Sequence, residues 1–354
     1  MMKIVLTGGG TAGHVTPNIA LLPLLRAEGW EINYIGSKAG IEKELIEAEN
    51  IAYYGISSGK LRRYLSFENL KDPFKVIKGL GDAYKILKEI DPNIVFSKGG
   101  YVTVPVVMAA KMLKIPVVIH ESDMTPGLAN KIASKGAKKI CVNFPETLKY
   151  VGKKGVLTGT PIRKELFQGN RAKGKSICEF TIGKPTLLVM GGSLGSVKVN
   201  SVLREALDQL LVTYNVVHIC GKTNLDETLK EKKGYTQFEY VGMELSHIFA
   251  LTDIMLSRAG ANSLAEIVAL KIPNVLIPLS KQASRGDQIL NADSMVKRGY
   301  SEAIQEEELD VNILINTINK VYNNKDFYRN SMISANKLSG TEKVLKEIKE
   351  HCKI

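Results

Sequence analysis

Two glycine-rich turns, one near the start of each half of the chain, constrain the fold more than any other feature. The first, GGGTAGH at 8–14, follows the apolar run 4–6, and the second, GGSLG at 191–195, follows the apolar run 187–190. A helical pattern comes after each turn. A strand, a glycine turn and a helix N-terminus together form an anion cradle, because glycine lets a phosphate approach the backbone and helix N–H groups favour negative charge. The sequence therefore predicts two nucleotide-fold domains facing one cleft.

Short apolar runs alternate with helical patterns along the whole chain. The predicted strands are 4–6, 32–35, 51–56, 94–96, 117–120, 140–142 and 156–157 in the first half, and 186–190, 216–220, 238–241, 254–257, 274–277 and 301–304 in the second. Such runs predict parallel sheets covered by helices on both faces. We expect an α/β chain with domains at 1–161 and 162–335. A last helical pattern spans about 326–350, and a C-terminal helix at about 336–354 is expected to pack on the first domain.

Charge points to anionic partners. The chain of 354 residues carries a formal net charge of +12, of which +8 lies in 1–161. A basic surface attracts nucleotide diphosphates, anionic membranes or nucleic acid. The four cysteines are scattered without metal-ligand spacing, which is typical of reduced cysteines in a cytosolic protein. Neither a signal peptide nor an apolar stretch of the ~20 residues that a spanning helix needs is expected.

The first glycine turn matches GxGxxG, but the rest of a dinucleotide site is missing. A dinucleotide fold places an acidic residue at the end of the second strand, for the ribose hydroxyls. Here that strand ends at 34–38 without an acid, and Glu31 lies at its beginning. This argues against a nicotinamide or flavin oxidoreductase. His14 directly follows the turn. It is either a structural residue, as a helix N-cap or a satisfied polar side chain, or a functional one, as a hydrogen-bond donor or a base that takes a proton from a hydroxyl.

Polar residues also follow other predicted strands. Ser97-Lys98-Gly99-Gly100-Tyr101 comes after the 94–96 strand, and His120-Glu121-Ser122-Asp123 ends the next one. Ligands of open α/β folds bind at this carboxyl edge, although each segment alone could be a plain connection.

The richest segment of the second half is SRAGANSLAE at 257–266. Asn262 or Ser263 can cap the helix that follows, whose N-terminus would hold a diphosphate, and Glu266 could hold two ribose hydroxyls. The alternative is a capping box, because Ser263 and Glu266 have the S-x-x-E spacing. Asp287 and Gln288 open a later helix, where they can bind sugar hydroxyls or act as ordinary first-turn residues.

No metal site is predicted, since the chain lacks an Asp-x-Asp motif and a His/Cys cluster. Leaving-group charge would then be met by helix N-termini and basic side chains. The glycine turns, the segment 258–263 and Arg163 could supply this.

The region 60–88 mixes basic and apolar residues. Its eight basic side chains, including Arg62, Arg63, Lys75 and Lys78, stand against three acids. This composition suits docking on an anionic membrane, or equally a helix packed on the sheet with a solvated basic face. No recognised nucleic-acid motif occurs, so nucleic acid is not expected as a partner.

Seven segments together resemble one family, the bacterial peptidoglycan N-acetylglucosaminyltransferases, which convert lipid I to lipid II. They are GGGTAGHVTPNIAL at 8–21, KGGYVTVP at 98–105, HESDMTPGLANK at 120–131, GTPIR at 159–163, GGSLG at 191–195, SRAGANSLAE at 257–266 and GDQILNA at 286–292. The resemblance implies the GT-B fold of two Rossmann-like domains and an inverting transfer from UDP-N-acetylglucosamine to the 4-hydroxyl of the muramyl sugar. It also implies a role in cell-wall synthesis and peripheral attachment to the cytoplasmic face of the cell membrane. No cofactor is expected.

The resemblance also implies site residues. His14 matches the candidate general base, and the acceptor side would include Tyr101, His120, Glu121 and Asp123. The donor side would include Thr11, Gly13, Arg163, Gly192, Ser193, Asn200, Met243, Ala261, Ser263, Glu266 and Gln288.

Two residues depart from the family pattern. Asp123 stands where the family often has Asn, and Leu194 where it often has Gln. Other functions that this fold supports are a UDP-N-acetylglucosamine 2-epimerase, a different lipid glycosyltransferase, or a nucleotide-sugar binding protein without catalysis.

Overall fold

The computed structural model describes residues 1–59, 72–192, 195–282, 286–335 and 339–353. The chain divides into two compact units, Met1–Arg163 with Leu338–Ile354, and Lys164–Lys337. The division after Arg163 lies two residues from the boundary expected from the sequence.

The first unit is built on a parallel sheet. Its strands are β1 (Lys3–Thr7), β2 (Glu31–Ser37), β3 (Ala52–Ile56), β4 (Ile94–Ser97), β5 (Val117–Glu121), β6 (Lys139–Val142) and β7 (Gly155–Leu157). They pair in the order β3-β2-β1-β4-β5-β6-β7. Its helices are α1 (Thr16–Ala27), α2 (Ile41–Glu47), α3 (Asp72–Ile90), α4 (Thr103–Met112), α5 (Leu128–Ala133) and α6 (Leu148–Val151). Short 3₁₀ helices occur at Ala12–His14, Pro145–Thr147 and Gly152–Lys154.

The second unit repeats this plan. Its strands are β8 (Thr186–Met190), β9 (Asn215–Ile219), β10 (Tyr235–Phe238), β11 (Ile254–Ser257), β12 (Asn274–Leu276) and β13 (Ser301–Ala303), in the order β10-β9-β8-β11-β12-β13. Its helices are α7 (Arg171–Ile177), α8 (Val197–Thr213), α9 (Leu245–Leu251), α10 (Ala261–Leu270), α11 (Asp287–Lys297), α12 (Val311–Asn323) and α13 (Lys325–Ala335). Its 3₁₀ helices are Lys164–Gln168, Glu227–Leu229 and Glu306–Glu308. The chain then returns to the first unit with α14 (Gly340–His351).

Side-chain alternation along the strands explains why both faces of the first sheet are covered. Val5 and Val95 belong to a core on the side of α3, α4 and α5, whereas Ile4 and Phe96 belong to a second core with α1 and α14. Successive residues of a strand point to opposite faces, so near-continuous apolar runs need helices on both sides. The predicted α/β architecture of two parallel-sheet domains is confirmed.

Two details of the prediction were wrong. The strand expected at 238–241 lies at Tyr235–Phe238, because Tyr235 is the buried residue that hydrogen-bonds His218 while Tyr240 is largely exposed. The single helix expected at about 326–350 is two helices, α13 and α14. Ser339 begins the second with a capping box: its side chain accepts the Glu342 N–H, and Glu342 returns to the Ser339 N–H.

Each sheet has a point where the strand order reverses. In the first sheet this switch point lies between β1 and β4, and in the second between β8 and β11. Loops that leave two such strands run in opposite directions and open a crevice at the carboxyl edge, where open α/β sheets bind ligands. Both glycine turns and the segment 257–266 start at these positions.

Candidate functional site

The first glycine turn is held from three sides by its own domain. The Gly9 N–H donates to the Gly99 carbonyl at 3.3 Å, and the Gly10 N–H donates to Oε2 of Glu42 at 3.2 Å. Gly10 has φ of +87°, and a Cβ there would lie 2.8 Å from the Tyr101 ring. These two N–H groups are therefore bonded to protein atoms rather than offered to a phosphate.

His14 ends the short 3₁₀ helix Ala12–His14, which also contains Gly13. The N-cap of α1 is Val15, so the interpretation of His14 as a helix cap was wrong. Nδ1 of His14 lies 3.0 Å from the exposed Thr11 Oγ1. In the tautomer whose Nδ1–H donates to Thr11, Nε2 keeps its lone pair and can accept a proton.

His120 is fully buried at the end of β5. Its Nε2 lies 2.9 Å from the carbonyl oxygen of Gly159, which can only accept, so Nε2 carries the hydrogen and Nδ1 is the acceptor nitrogen. Burial, reinforced by the nearby Lys98, holds the pKa of His120 well below its usual value. His120 is therefore neutral and braces the Gly159 loop. Its predicted acceptor contact stays a prediction.

Glu121 is also buried and organises the loop that follows β5. It accepts hydrogen bonds from the Asp123 N–H at 3.0 Å, the Gly127 N–H at 3.0 Å and the Asn130 side chain at 2.9 Å. Burial raises the pKa of Glu121, and Asp123 adds to the effect. The structure thus gives Glu121 a supporting role behind the half-buried Asp123.

Lys98 is a buried cation that the sequence did not single out for a role. It is 2 % exposed, and its ammonium donates to Ser122 Oγ, the residue that separates Glu121 from Asp123 in the chain. Burial lowers the pKa of Lys98 to about 8, although both carboxylates oppose that shift. Lys98 joins the second glycine-containing loop of this domain to the loop 121–127.

In the second unit, the turn after β8 is open at Gly192, whereas Gly191 and Gly195 pack closely against Ser196 and Cys220. Gly192 has φ of +90°, and no described atom lies within 4 Å of the position that its Cβ would take. Ser196 caps α8 by accepting the Val199 N–H at 3.3 Å. Ser193, a predicted donor contact, and Leu194 lie outside the described residues.

The helix after β11 starts one turn earlier than the capping interpretation requires. α10 begins at Ala261, and its N-cap is Gly260, which has no side chain to cap it. Ser263 and Glu266 lie inside the helix and are half-buried, so the capping-box interpretation of this pair was wrong. No described atom lies within 4 Å of a Cβ built on Gly260. An α-helix N-terminus without a side-chain cap, beside an open glycine, can receive an anion.

Arg258 was expected to help neutralise a leaving group, and the structure assigns it differently. Its side chain is buried, forms an ion pair with Glu306 and donates to Ser196 Oγ at 2.5 Å. It also donates to the carbonyls of Ile277 and Pro278 at 3.2 and 3.3 Å. Because Glu306 neutralises its charge, Arg258 ties together the loops after β8, β11 and β12 instead of facing a ligand.

Asn200 lies in a buried hydrogen-bond chain. Its Nδ2 donates to the Cys220 carbonyl at 2.9 Å, its Oδ1 lies 3.0 Å from His218 Nε2, and His218 Nδ1 lies 2.8 Å from Tyr235 Oη. Burial, with Arg204 adding, lowers the pKa of His218 to about 3. The neutral histidine therefore links α8 to β9 and β10. A donor contact by Asn200 would require rearrangement of these bonds.

The remaining predicted donor residues have varied surroundings. Gln288 accepts the Leu279 N–H at 3.1 Å through Oε1, which fixes the loop after β12. Met243 is 97 % exposed, and Ala261 is buried at the start of α10. Nε of Arg163 is buried without a hydrogen-bond partner among the described residues.

The predicted membrane patch is partly visible. Arg62 and Arg63 lie outside the described residues, whereas Lys75 and Lys78 are exposed on α3. Ile77 between them is 66 % exposed, and Met108 and Met112 are exposed on α4, which packs against α3. Across the described part of the chain, no helix is both long and apolar enough to cross a bilayer.

A possible metal-ligand group lies away from the carboxyl edges. Ligand atoms of Glu347, Glu350 and His351 lie within 4.8 Å of one another in the last turn of α14. Just beyond that turn, the Lys353 N–H donates to the carbonyl of Asn93, which precedes β4. The group thus lies towards the amino edge of the first sheet, opposite the glycine turns.

Two family profiles match the chain. The glycosyltransferase family 28 N-terminal domain matches residues 4–142, and the glycosyltransferase family 28 C-terminal domain matches residues 186–348. The first match lies within the first unit, and the second covers the sheet of the second unit and extends into α14 of the first.

Named relatives match this chain over almost its full length. The chain is 57% identical to a protein of Lachnoclostridium phytofermentans and 56% identical to one of Clostridium tetani, over 99% of this chain and 99% and 98% of theirs. Both are named "UDP-N-acetylglucosamine--N-acetylmuramyl-(pentapeptide) pyrophosphoryl-undecaprenol N-acetylglucosamine transferase". The crystal structure of Acinetobacter baumannii MurG superposes with a TM-score of 0.76 at 25% identity, covering 99% of this chain and 100% of that one. The chain therefore belongs to glycosyltransferase family 28 and is a glycosyltransferase.

Proposed function

We propose that the protein transfers N-acetylglucosamine from UDP-N-acetylglucosamine to the 4-hydroxyl of the muramyl sugar of lipid I, giving lipid II for peptidoglycan synthesis. The observation that carries this proposal is the 57% identity over 99% of the chain to a relative with this printed activity. Fold alone would not suffice, because the same architecture serves many sugar donors and acceptors.

The second unit supplies the proposed donor site. The N-terminus of α10 is capped by Gly260, which has no side chain, and Gly192 at the end of the neighbouring strand leaves room for a ligand against the backbone. We assign the diphosphate of the donor to this pair of features. Glu266, one turn into α10, would then accept hydrogen bonds from the ribose hydroxyls, and Gln288 and Met243 would contact the rest of the donor.

The first unit supplies the proposed acceptor site and base. Nε2 of His14 takes the proton of the muramyl 4-hydroxyl as that oxygen attacks the anomeric carbon of the α-linked sugar. The bond from that carbon to the UDP oxygen breaks with its electron pair, so UDP leaves as an anion and a β-1,4 linkage forms. Thr11 Oγ1, 3.0 Å from Nδ1, can accept the Nδ1–H of the tautomer that this step needs.

The charge that develops on UDP is proposed to be met without a metal ion. N–H groups at the start of α10 point along the helix axis towards the position of the diphosphate, and the helix dipole adds to their effect. Arg258 does not share this task, because its charge is neutralised by Glu306.

The proposed location of the protein is the cytoplasmic face of the cell membrane. Lys75 and Lys78 flank the exposed Ile77 on α3, and Met108 and Met112 extend the apolar surface on α4. Lysines beside exposed apolar side chains match an anionic lipid surface, where each basic residue contributes about 1 kcal/mol.

The test of the proposed function is UDP release from UDP-N-acetylglucosamine with a lipid I analogue. We expect release that requires the acceptor, fails with UDP-N-acetylgalactosamine and persists in EDTA. Release that ignores the acceptor would indicate an epimerase or a hydrolase, and no release would leave a binding protein. Loss of activity in EDTA that is restored by a divalent cation would overturn the metal-free step alone.

The membrane proposal has its own test. Lys75→Gln with Lys78→Gln should weaken sedimentation with anionic vesicles while leaving turnover of a short-chain acceptor near the wild-type rate. The matched control is Lys230→Gln with Lys297→Gln, which removes the same charge from exposed positions of the second unit. Equal vesicle binding by the two double variants would exclude α3 as the membrane contact.

A further inference from the structure

A buried carboxylate lies against the first glycine turn and has no role in the steps described so far. Glu42 is the second residue of α2 and is 0 % exposed. Its Oε2 accepts the Gly10 N–H at 3.2 Å, and its Oε1 accepts the Ser37 N–H at 3.0 Å and the Ser37 hydroxyl at 2.5 Å. One side chain therefore joins the turn after β1 to the end of β2.

The surrounding backbone is shaped to admit this carboxylate. A Cβ on Gly9 would lie 2.5 Å from Oε1 of Glu42, and a Cβ on Gly40 would overlap the carboxylate. A Cβ on Gly36 would overlap the Tyr53 hydroxyl and would also lie 3.0 Å from Cγ of Glu42. Three glycines thus leave the space that the Glu42 side chain fills, so glycine at these positions serves an internal contact.

The position of Glu42 is informative because of what dinucleotide folds place nearby. Such folds put a carboxylate at the end of the second strand to bind ribose hydroxyls. The sequence of β2 ends without an acid, but Glu42 reaches back from α2 to that same strand end. Here the carboxylate is buried and bonded to the protein, so it stabilises the turn and offers nothing to a nucleotide.

We propose that Glu42 is a positioning residue that holds the first glycine turn, and through it His14, in the geometry that acceptor activation needs. Gly10 begins the segment that leads through Thr11 into the 3₁₀ helix ending at His14, and the His14 N–H donates to the Thr11 carbonyl at 3.1 Å. A shift of Gly10 therefore moves the backbone that carries the base. This inference rests on the proposed function, because His14 is the base of that reaction.

The test replaces Glu42 with glutamine, which keeps the shape of the side chain. Its amide NH₂ must face either the Gly10 N–H or the Ser37 donors, so at least one of these hydrogen bonds is lost. We expect kcat with the acceptor to fall about tenfold or more, because small displacements of a catalytic group are costly. The KM for the donor should stay within about twofold, since the proposed donor site lies in the other unit.

A second readout does not depend on the reaction. In the folded variant, hydrogen exchange at the Gly10 amide or at the Ser37 amide should be accelerated by about tenfold or more relative to wild type, because the glutamine NH₂ leaves at least one of these N–H groups without its acceptor. The matched control is Glu44→Gln, an exposed residue of the same helix, which should leave both kcat and Gly10 exchange unchanged.

The outcomes separate the two proposals. A folded Glu42→Gln protein with wild-type kcat overturns the positioning role, even if it melts at a lower temperature, because the effect is then on stability only. Wild-type exchange at both the Gly10 and the Ser37 amide overturns it as well. If the wild-type enzyme shows no acceptor-dependent release, the proposed function fails, and exchange at Gly10 still reports whether Glu42 holds the turn. Should Glu42→Gln not fold, Glu42→Asp, which withdraws the carboxylate by one methylene, is read in the same way.

Discussion

The two glycine turns occupy equivalent places, at the switch point of a parallel sheet, yet their backbones face different surroundings. In the first turn, Gly9 and Gly10 donate their N–H groups to Gly99 and Glu42, and the Tyr101 ring lies against Gly10. In the second unit, Gly192 and Gly260 face open space among the described atoms. Gly9 and Gly10 thus serve close internal packing, as Gly191 and Gly195 do in the second unit, whereas Gly192 and Gly260 leave room for a ligand.

The comparison teaches that a glycine motif indicates a close approach without saying what approaches. The first turn is built around an internal carboxylate and carries His14. The second turn leaves open space at Gly192, and Gly260 does so at the start of α10. Under the proposed function, the first unit positions a catalytic side chain and the second binds the nucleotide. Three predictions test this contrast, and a fourth tests a property that the two units share.

The largest effect is expected from His14→Ala. General base catalysis contributes about 10²–10⁴-fold, so turnover should fall at least a hundredfold while binding of UDP-N-acetylglucosamine is preserved. Steady-state kinetics and calorimetric titration with donor measure the two effects, and His247→Ala in the second unit is the control. Turnover near the wild-type level would remove His14 from the role of base.

The next effect sharpens the assignment of the nucleotide to the second unit. Glu266→Gln should raise the KM for the donor by about 10–100-fold, because a hydrogen bond to a charged group contributes roughly 1.5–3 kcal/mol. The KM for the acceptor should change little. Glu231→Gln, at an exposed position of the same unit, is the control. An unchanged donor KM would exclude Glu266 as the ribose contact.

Alanine substitutions in the two turns should have opposite consequences. Gly10→Ala should destabilise the protein by about 2 kcal/mol, because it adds overlap with Tyr101 to the strain of a positive φ. Gly192→Ala should cost about 1 kcal/mol in stability, since only the φ strain applies, but should weaken donor binding. Chemical denaturation and titration with UDP distinguish the two variants. Equal losses of UDP affinity would break the contrast between the turns.

The smallest effect concerns acid stability, in which the two units should behave alike. The pKa of His218 is lowered to about 3 and that of His120 well below normal, so the unfolded chain binds more protons than the folded one below pH 6.5. Stability should therefore fall as pH drops from 6.5 towards 3, by up to about 1.4 kcal/mol per pH unit for each histidine.

Denaturation curves at several pH values measure this slope. His218→Gln should reduce it, and the same slope in that variant would assign the acid sensitivity to other groups.

The lowered pKa of the buried Lys98 predicts a second pH range, on the alkaline side, in which stability changes with pH. Because that pKa is lowered to about 8, stability should rise between pH 8 and 10.5, and Lys98→Met should remove this rise.

Local signals in the sequence sufficed for most of the fold. Apolar runs located the strands because the central ones, such as β1, β4, β5, β8 and β11, are buried on both faces. The strand–turn–helix order placed both glycine turns. The errors arose where local signals compete. The predicted position of β10 was wrong because the buried residue of this strand is Tyr235, and its burial depends on a contact with His218 of β9. The capping box at Ser263 failed because the helix already begins at Ala261.

The candidate site was predictable only in part. Motif spacing identified His14, Ser263 and Glu266 as candidates, since each follows directly from a strand end. It did not reveal Glu42, Lys98 or the ion pair of Arg258 with Glu306. The sequence offers one signal for Glu42, which is an acidic residue near the glycines at 36 and 40. Its meaning becomes clear only in the folded chain, where the glycines at 9 and 10 also lie against Glu42.

The amino-acid sequence by itself determined the two parallel-sheet domains, the glycine turns and the family, because these depend on patterns between near neighbours in the chain. Only the tertiary structure decided which polar residues face a ligand and which support the fold. Asn200, His120, Glu121 and Arg258 carry site-like sequence signals, yet each is buried on partners from other elements. A buried polar group must find its hydrogen-bond partners wherever the folded chain places them, and that distance in sequence is what local patterns do not encode.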